Sequence, residues 1–168
     1  MSPHNSLLFT MALNIFIAAL LVLAAAQDIS TRTVPNWMPM TLAILCATLA
    51  TIDHRFVWGL GFGLSVFAFC IVAWRCGWMG GADVKLLGAT AIVVPPAAAG
   101  TFLAAVSLSG GVLAIAYLVG RIIVPRPAAR RPRRLVQRVL RVEAWRIRGR
   151  GPLPYACAIA AGTIFVLS

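Results

Sequence analysis

Acidic side chains are scarce in this sequence. Four Asp and Glu stand against 15 Lys and Arg, a formal net charge of +11. Charged residues of both signs make up 11% of the chain, where an average soluble domain carries about 25%. The four cysteines form no C-x-x-C pair and have no His at ligand spacing, which argues against a zinc site and against a structural disulfide. His4 and His54 stand alone and read as solvent-facing. What fills the chain instead is apolar: 61% of the 168 residues are hydrophobic and the mean hydropathy is +0.91. A soluble fold of this length cannot bury so much apolar surface, so most of it must face lipid. A soluble enzyme, a disordered tail and a disulfide-rich secreted module are excluded. The expected fold is all-α, one polytopic membrane helix bundle over 1–168 with about six transmembrane spans.

The positive charge is concentrated. Residues 121–150 hold eleven of the 15 Lys and Arg, with Glu143 their lone acid. A recognition helix or zinc finger is absent from the pattern, so nucleic acid is not an expected partner. The loop reads as a cytoplasmic segment obeying the positive-inside rule. Within it Leu135, Val136, Val139, Leu140 and Trp145 alternate with arginines at helical spacing. Two readings stand: an amphipathic helix on an anionic leaflet, or a plain topology signal.

Apolar runs at 7–26, 38–52, 56–74, 86–99, 100–120 and 153–168 supply the six expected spans. Placing 121–150 in the cytoplasm brings 27–37 and 75–85 to the same side. Fourteen of the 15 cations are then inside, with Arg55 outside and both termini outside. Ala24-Ala25-Ala26-Gln27 has the look of a signal-peptidase site. No Lys or Arg precedes the run and it is too long for a signal peptide, so a retained helix is expected. Gly59-Leu60-Gly61-Phe62-Gly63 lies inside an apolar run and reads as small-residue helix packing.

Ionisable groups at membrane depth are costly, which makes the few carboxylates informative. Asp53 sits in an outer polar turn, and Glu143 among arginines reads as a local ion-pair partner. Asp28 ends the first apolar run, where the negative end of the helix dipole disfavours an acid. Its structural explanation is a pair with Arg32, four residues on. Asp83 follows Gly80-Gly81-Ala82, and its structural explanation is an N-cap. Yet the threading brings both acids to the cytoplasmic boundary. Two carboxylates close together in a poorly solvated site share a proton, one ionised as general base and one protonated as general acid. Such a pair can hydrolyse a peptide bond without metal or cofactor.

Asp28-x-x-x-Arg32-x-x-Pro35-Asn36, followed by Gly80-Gly81-Ala82-Asp83-Val84-Lys85, resembles the type IV prepilin peptidases, membrane aspartic proteases with a G-x-G-D motif. The short chain and Pro154-Tyr155-Ala156 resemble the small branch serving Flp (tight-adherence) pili. The resemblance covers roughly 7–120 and 153–168. It implies catalytic roles for Asp28 and Asp83, and supporting roles for Arg32, Pro35, Asn36, Gly80, Gly81 and Lys85. It also implies a prepilin substrate whose basic leader is cut ahead of a hydrophobic helix, at the cytoplasmic face of the bacterial inner membrane. Ala82 departs from the motif's second Gly. The short 27–37 loop lacks the paired cysteines of larger members, so nothing supports methyltransferase activity, a metal or another cofactor. The rival expectations are a non-catalytic membrane assembly factor of a pilus or secretion system, and a small ion-coupled transporter. The sequence leaves the oligomeric state open.

Overall fold

The computed structural model describes residues 3–124, 135–148 and 153–167. Within them the chain is helical: α1 (Pro3–Thr31), α2 (Trp37–Ile52), α3 (Phe56–Arg75), α4 (Gly81–Ala91), a 3₁₀ turn (Pro96–Ala98), α5 (Ala99–Ile123), α6 (Leu135–Arg148) and α7 (Tyr155–Leu167). Three stretches are long and apolar enough to cross a membrane, Leu7–Thr31, Phe56–Arg75 and Pro96–Ile123; α2 and α7 are shorter and equally apolar. Large hydrophobic side chains such as Ile15, Val57, Phe69 and Ile122 point outward, as they must where the surroundings are lipid. The expected all-helical membrane bundle is what the chain forms.

The fourth expected span differs. The run 86–99 does not make one helix: α4 starts earlier, at Gly81, and stops at Ala91, and Pro95-Pro96 then begins the 3₁₀ turn that leads into α5. Eleven residues rise about 16 Å, half of the hydrocarbon thickness. α4 is short because it is interior. It packs on α2, α3 and α7, with Val84, Leu86, Leu87, Ala89 and Ala91 all buried and only Lys85 of its residues exposed.

Small residues make this burial possible. A Cβ on Gly59 would lie 2.2 Å from the Ile92 carbonyl oxygen, and one on Gly63 would lie 2.6 Å from the Ile92 side chain. A Cβ on Gly88 would meet Phe67 at 2.9 Å. The glycine run of α3 is therefore where α3 and α4 come into close contact. Behind α4, α7 packs on both α1 and α5, with Gly162 against Val106.

The two ends of the bundle differ in charge. At one end the Arg55 guanidinium donates to the Val93 carbonyl oxygen at 3.1 Å and pairs with Asp53. At the other end the C-termini of α1 and α3, the N-termini of α4 and α7, and α6 come together. α6 packs on α5 and α1. Its Glu143, Arg146 and Ile147 turn toward the bundle while Val142, Trp145 and Arg148 are exposed. Of the basic stretch 121–150, residues 125–134 and 149–150 lie outside the described residues.

Candidate active site

Asp28 stands in the last turn of α1, which runs three residues beyond it because nothing before Pro35 forbids the helix. Arg32 ends that helix in a left-handed conformation, φ 57°, with its N–H donating to the Asp28 carbonyl oxygen at 2.9 Å. The Asp28 carboxylate is buried and accepts a hydrogen bond at 3.3 Å from the Ala156 backbone N–H in the first turn of α7. That N–H is one of the donors a helix N-terminus leaves free, well suited to hold an anion.

Asp83 is the third residue of α4, not its cap. The cap is Gly80, in an extended conformation, and the Asp83 carboxylate accepts from the Gly80 backbone N–H. A side chain at residue 80 would not fit, since its Cβ would come within 2.9 Å of Asp83 Oδ2. A Cβ at residue 81 would press on the Trp74 indole at 3.3 Å. Ala82 falls inside the first turn of α4, where the backbone is helical and alanine is preferred to glycine. Its departure from the motif is locally compatible with the fold.

Both carboxylates line one cavity of about 610 Å³ at the end of the bundle where α6 packs, together with Arg32, Gly80, Gly81 and Tyr155. Asp83 lies ahead of the apolar run and outside the three crossing helices. Burial first, and then repulsion from the Asp28 carboxylate, push its acid up to about 7, against opposing pulls from the Gly80 N–H and Arg32. Two acids 55 positions apart thus meet in a poorly solvated pocket, where the second to ionise does so at a cost.

The supporting residues divide. The Lys85 ammonium donates to Asn36 Oδ1 at 2.8 Å, tying α4 to the turn before α2. The Pro35 carbonyl accepts from the Met38 N–H at 3.1 Å, so Pro35 and Asn36 shape the entry into α2, and Trp37 is exposed there. The expected pair of Asp28 with Arg32 does not form. Arg32 lies just past the helix end, and its Nη2 meets Glu143 and the Tyr117 hydroxyl instead, with the guanidinium 5.8 Å from the Tyr117 ring centre. Arg32 Nε and Nη1 are buried without a hydrogen-bond partner among the described residues.

Glu143 is more than a local partner. It pairs with Arg146 at 3.3 Å within α6, but also with Arg32 on α1 and with the Tyr117 hydroxyl on α5. Arg146 in turn donates to the Ile29 and Ser30 carbonyl oxygens, at 2.7 and 3.4 Å, in the turn that follows Asp28. Sequence reasoning missed this network. The available signal was the lone acid in an arginine tract, on the same helical side as Ile147 and opposite Trp145.

The described residues thus form a helical membrane bundle with two buried acids lining one cavity at one end. The type IV leader peptidase family pattern matches residues 15–115, which include both aspartates, and the chain belongs to that family. No curated protein and no solved structure matches the chain. α6 and α7 lie beyond the matched residues.

Proposed function

We propose that the protein is an aspartic endopeptidase that removes the leader peptide of type IV prepilins, of the Flp type, at the cytoplasmic face of the bacterial inner membrane. The observation that carries this reading is the shared cavity of Asp28 and Asp83. With one proton between them, the ionised carboxylate takes a proton from water as its oxygen bonds to the scissile carbonyl carbon. The protonated carboxyl gives its proton to the leaving nitrogen as the C–N bond breaks. The pair ends the cycle with one proton again, and no metal or cofactor enters the balance. Because the two acids titrate jointly, the roles of acid and base belong to the pair.

The cytoplasmic placement is supported by charge. The cavity opens at the bundle end that carries Arg32, Lys85 and α6, and the opposite end holds Arg55 paired with Asp53. Gly80 and Gly81 line the cavity beside Asp83, where an extended leader segment can approach their backbone. The test is co-expression with a Flp-type prepilin. Wild type converts precursor to mature pilin, while Asp28→Asn and Asp83→Asn leave the precursor intact. Undiminished conversion by either variant removes the aspartyl mechanism.

A further inference from the structure

A second cavity, about 460 Å³, runs along the bundle between α3 and α5. Its walls are Phe62, Ser65 and Phe69 on α3 and Leu103, Val106 and Ser107 on α5. At its far end from the acids the Phe62 ring packs edge to face on Phe102, centres 6.4 Å apart. From there to Ala73 the two helices stay apart, with α4 and α7 behind them, over eleven residues of α3 or about 16 Å. Phe69 and Leu103 stand out from the rim, 76% and 44% exposed. At the near end Ala73, Met79 and Tyr155 line this groove and the carboxylate cavity alike. The two spaces adjoin at these three residues: an apolar groove with exposed rims abuts the chamber that holds Asp28 and Asp83.

An apolar groove on a membrane protein is ordinarily just a lipid-facing surface. Here a comparison within the molecule separates the cases. The groove among α2, α3 and α4, lined by Pro39, Ala43, Leu64 and Phe67, is as apolar but shares no lining residue with the carboxylate cavity. The α3–α5 groove alone of the two ends at the dyad. Resting on the proposed peptidase reading, we infer that the α3–α5 groove receives the hydrophobic helix of the prepilin, entering sideways from the bilayer. A substrate helix seated there has its cytoplasmic end at Tyr155 and Met79, so the peptide just ahead of it falls in the chamber of the two acids. The order apolar helix, junction, scissile bond in the substrate then matches groove, Tyr155, dyad in the enzyme. Ser65 and Ser107 on the walls add little bulk where a helix must come close.

The full-length protein in membranes, with a Flp-type prepilin, tests this by two readouts. A photoreactive benzoylphenylalanine replacing Phe69 is expected to crosslink the prepilin's hydrophobic helix, whereas the same group replacing Ala43 in the other groove is not. Ser107→Trp, which fills the groove, is expected to raise KM about ten-fold or more at unchanged kcat, and Ala43→Trp to leave both alone. Crosslinking at 43 but not at 69 overturns the inference, and so does a wild-type KM in a folded Ser107→Trp protein. Crosslinking reads seating and processing reads chemistry. Crosslinks at 69 with no cleavage therefore uphold the groove and contradict the peptidase dyad.

Discussion

On the proposed reading, one proton shared by Asp28 and Asp83 decides the chemistry. Burial and the neighbouring Asp28 carboxylate push Asp83 up to about 7, so on that reading the pair keeps one shared proton up to neutral pH. Raising the pH through about 7 removes the shared proton, and lowering it far enough protonates both acids. The pH dependence of kcat/KM is therefore expected to be bell-shaped with its basic limb near 7; a rate that keeps rising to pH 9 contradicts the shared proton. Gly80→Ala forces a Cβ against Asp83 Oδ2, and kcat is expected to fall at least ten-fold, since small misplacement of a catalytic group costs that much or more. Ala82→Gly is the opposite case. It restores the motif's glycine inside a helical turn, with processing retained and about 0.5–1 kcal/mol of stability lost in thermal unfolding.

At the scale of elements, two contacts position the site. α3 holds α4 through Gly59 and Gly63, and Gly59→Ala drives a methyl group into the Ile92 carbonyl, a fixed backbone atom. Overpacking of this kind costs about 1–3 kcal/mol, and the thermal midpoint in detergent is expected to fall accordingly. α6 clasps the end of α1 through Glu143 and Arg146. Glu143→Gln leaves Arg32 and Arg146 without their counter-charge in a largely buried setting. A loss of about 3 kcal/mol is expected, read as a lower midpoint that Glu143→Asp partly restores.

Much of this arrangement was legible in the residues. Apolar runs fixed where helices form, and the cost of charge at membrane depth singled out Asp28 and Asp83. What escaped were features set by packing. Pro95-Pro96 announce a break in the apolar run but not that the helix ends as early as Ala91, since Ile92, Val93 and Val94 carry no breaker and the two valines stay fully buried. The Arg32–Glu143 pair joins residues 111 positions apart, and helical spacing offered Asp28 as the nearer partner. Arg32 stands in a left-handed turn just past the helix end, and that turn has no glycine to announce it.

Across the whole molecule the two ends differ in polarity. The arginine-rich end, the acid pair and the groove mouth share one side of the bundle, and Asp53, His54 and Arg55 lie on the other. Native Cys76 is exposed in the turn between α3 and α4, at the end of the bundle that holds the acids. In intact cells a membrane-impermeant maleimide is expected to label His54→Cys and to spare Cys76 until the membrane is permeabilised. The reverse pattern inverts the topology. Peptide hydrolysis by a shared proton remains the centre of the account, and its most direct test is single-turnover cleavage of a prepilin by the purified protein in lipid. Asp28→Asn, Asp83→Asn and the double variant are each expected to lose roughly a thousand-fold in rate, the double no worse than the singles because the acids act as a unit. A single variant that cleaves at the wild-type rate, or losses that multiply in the double, would contradict it.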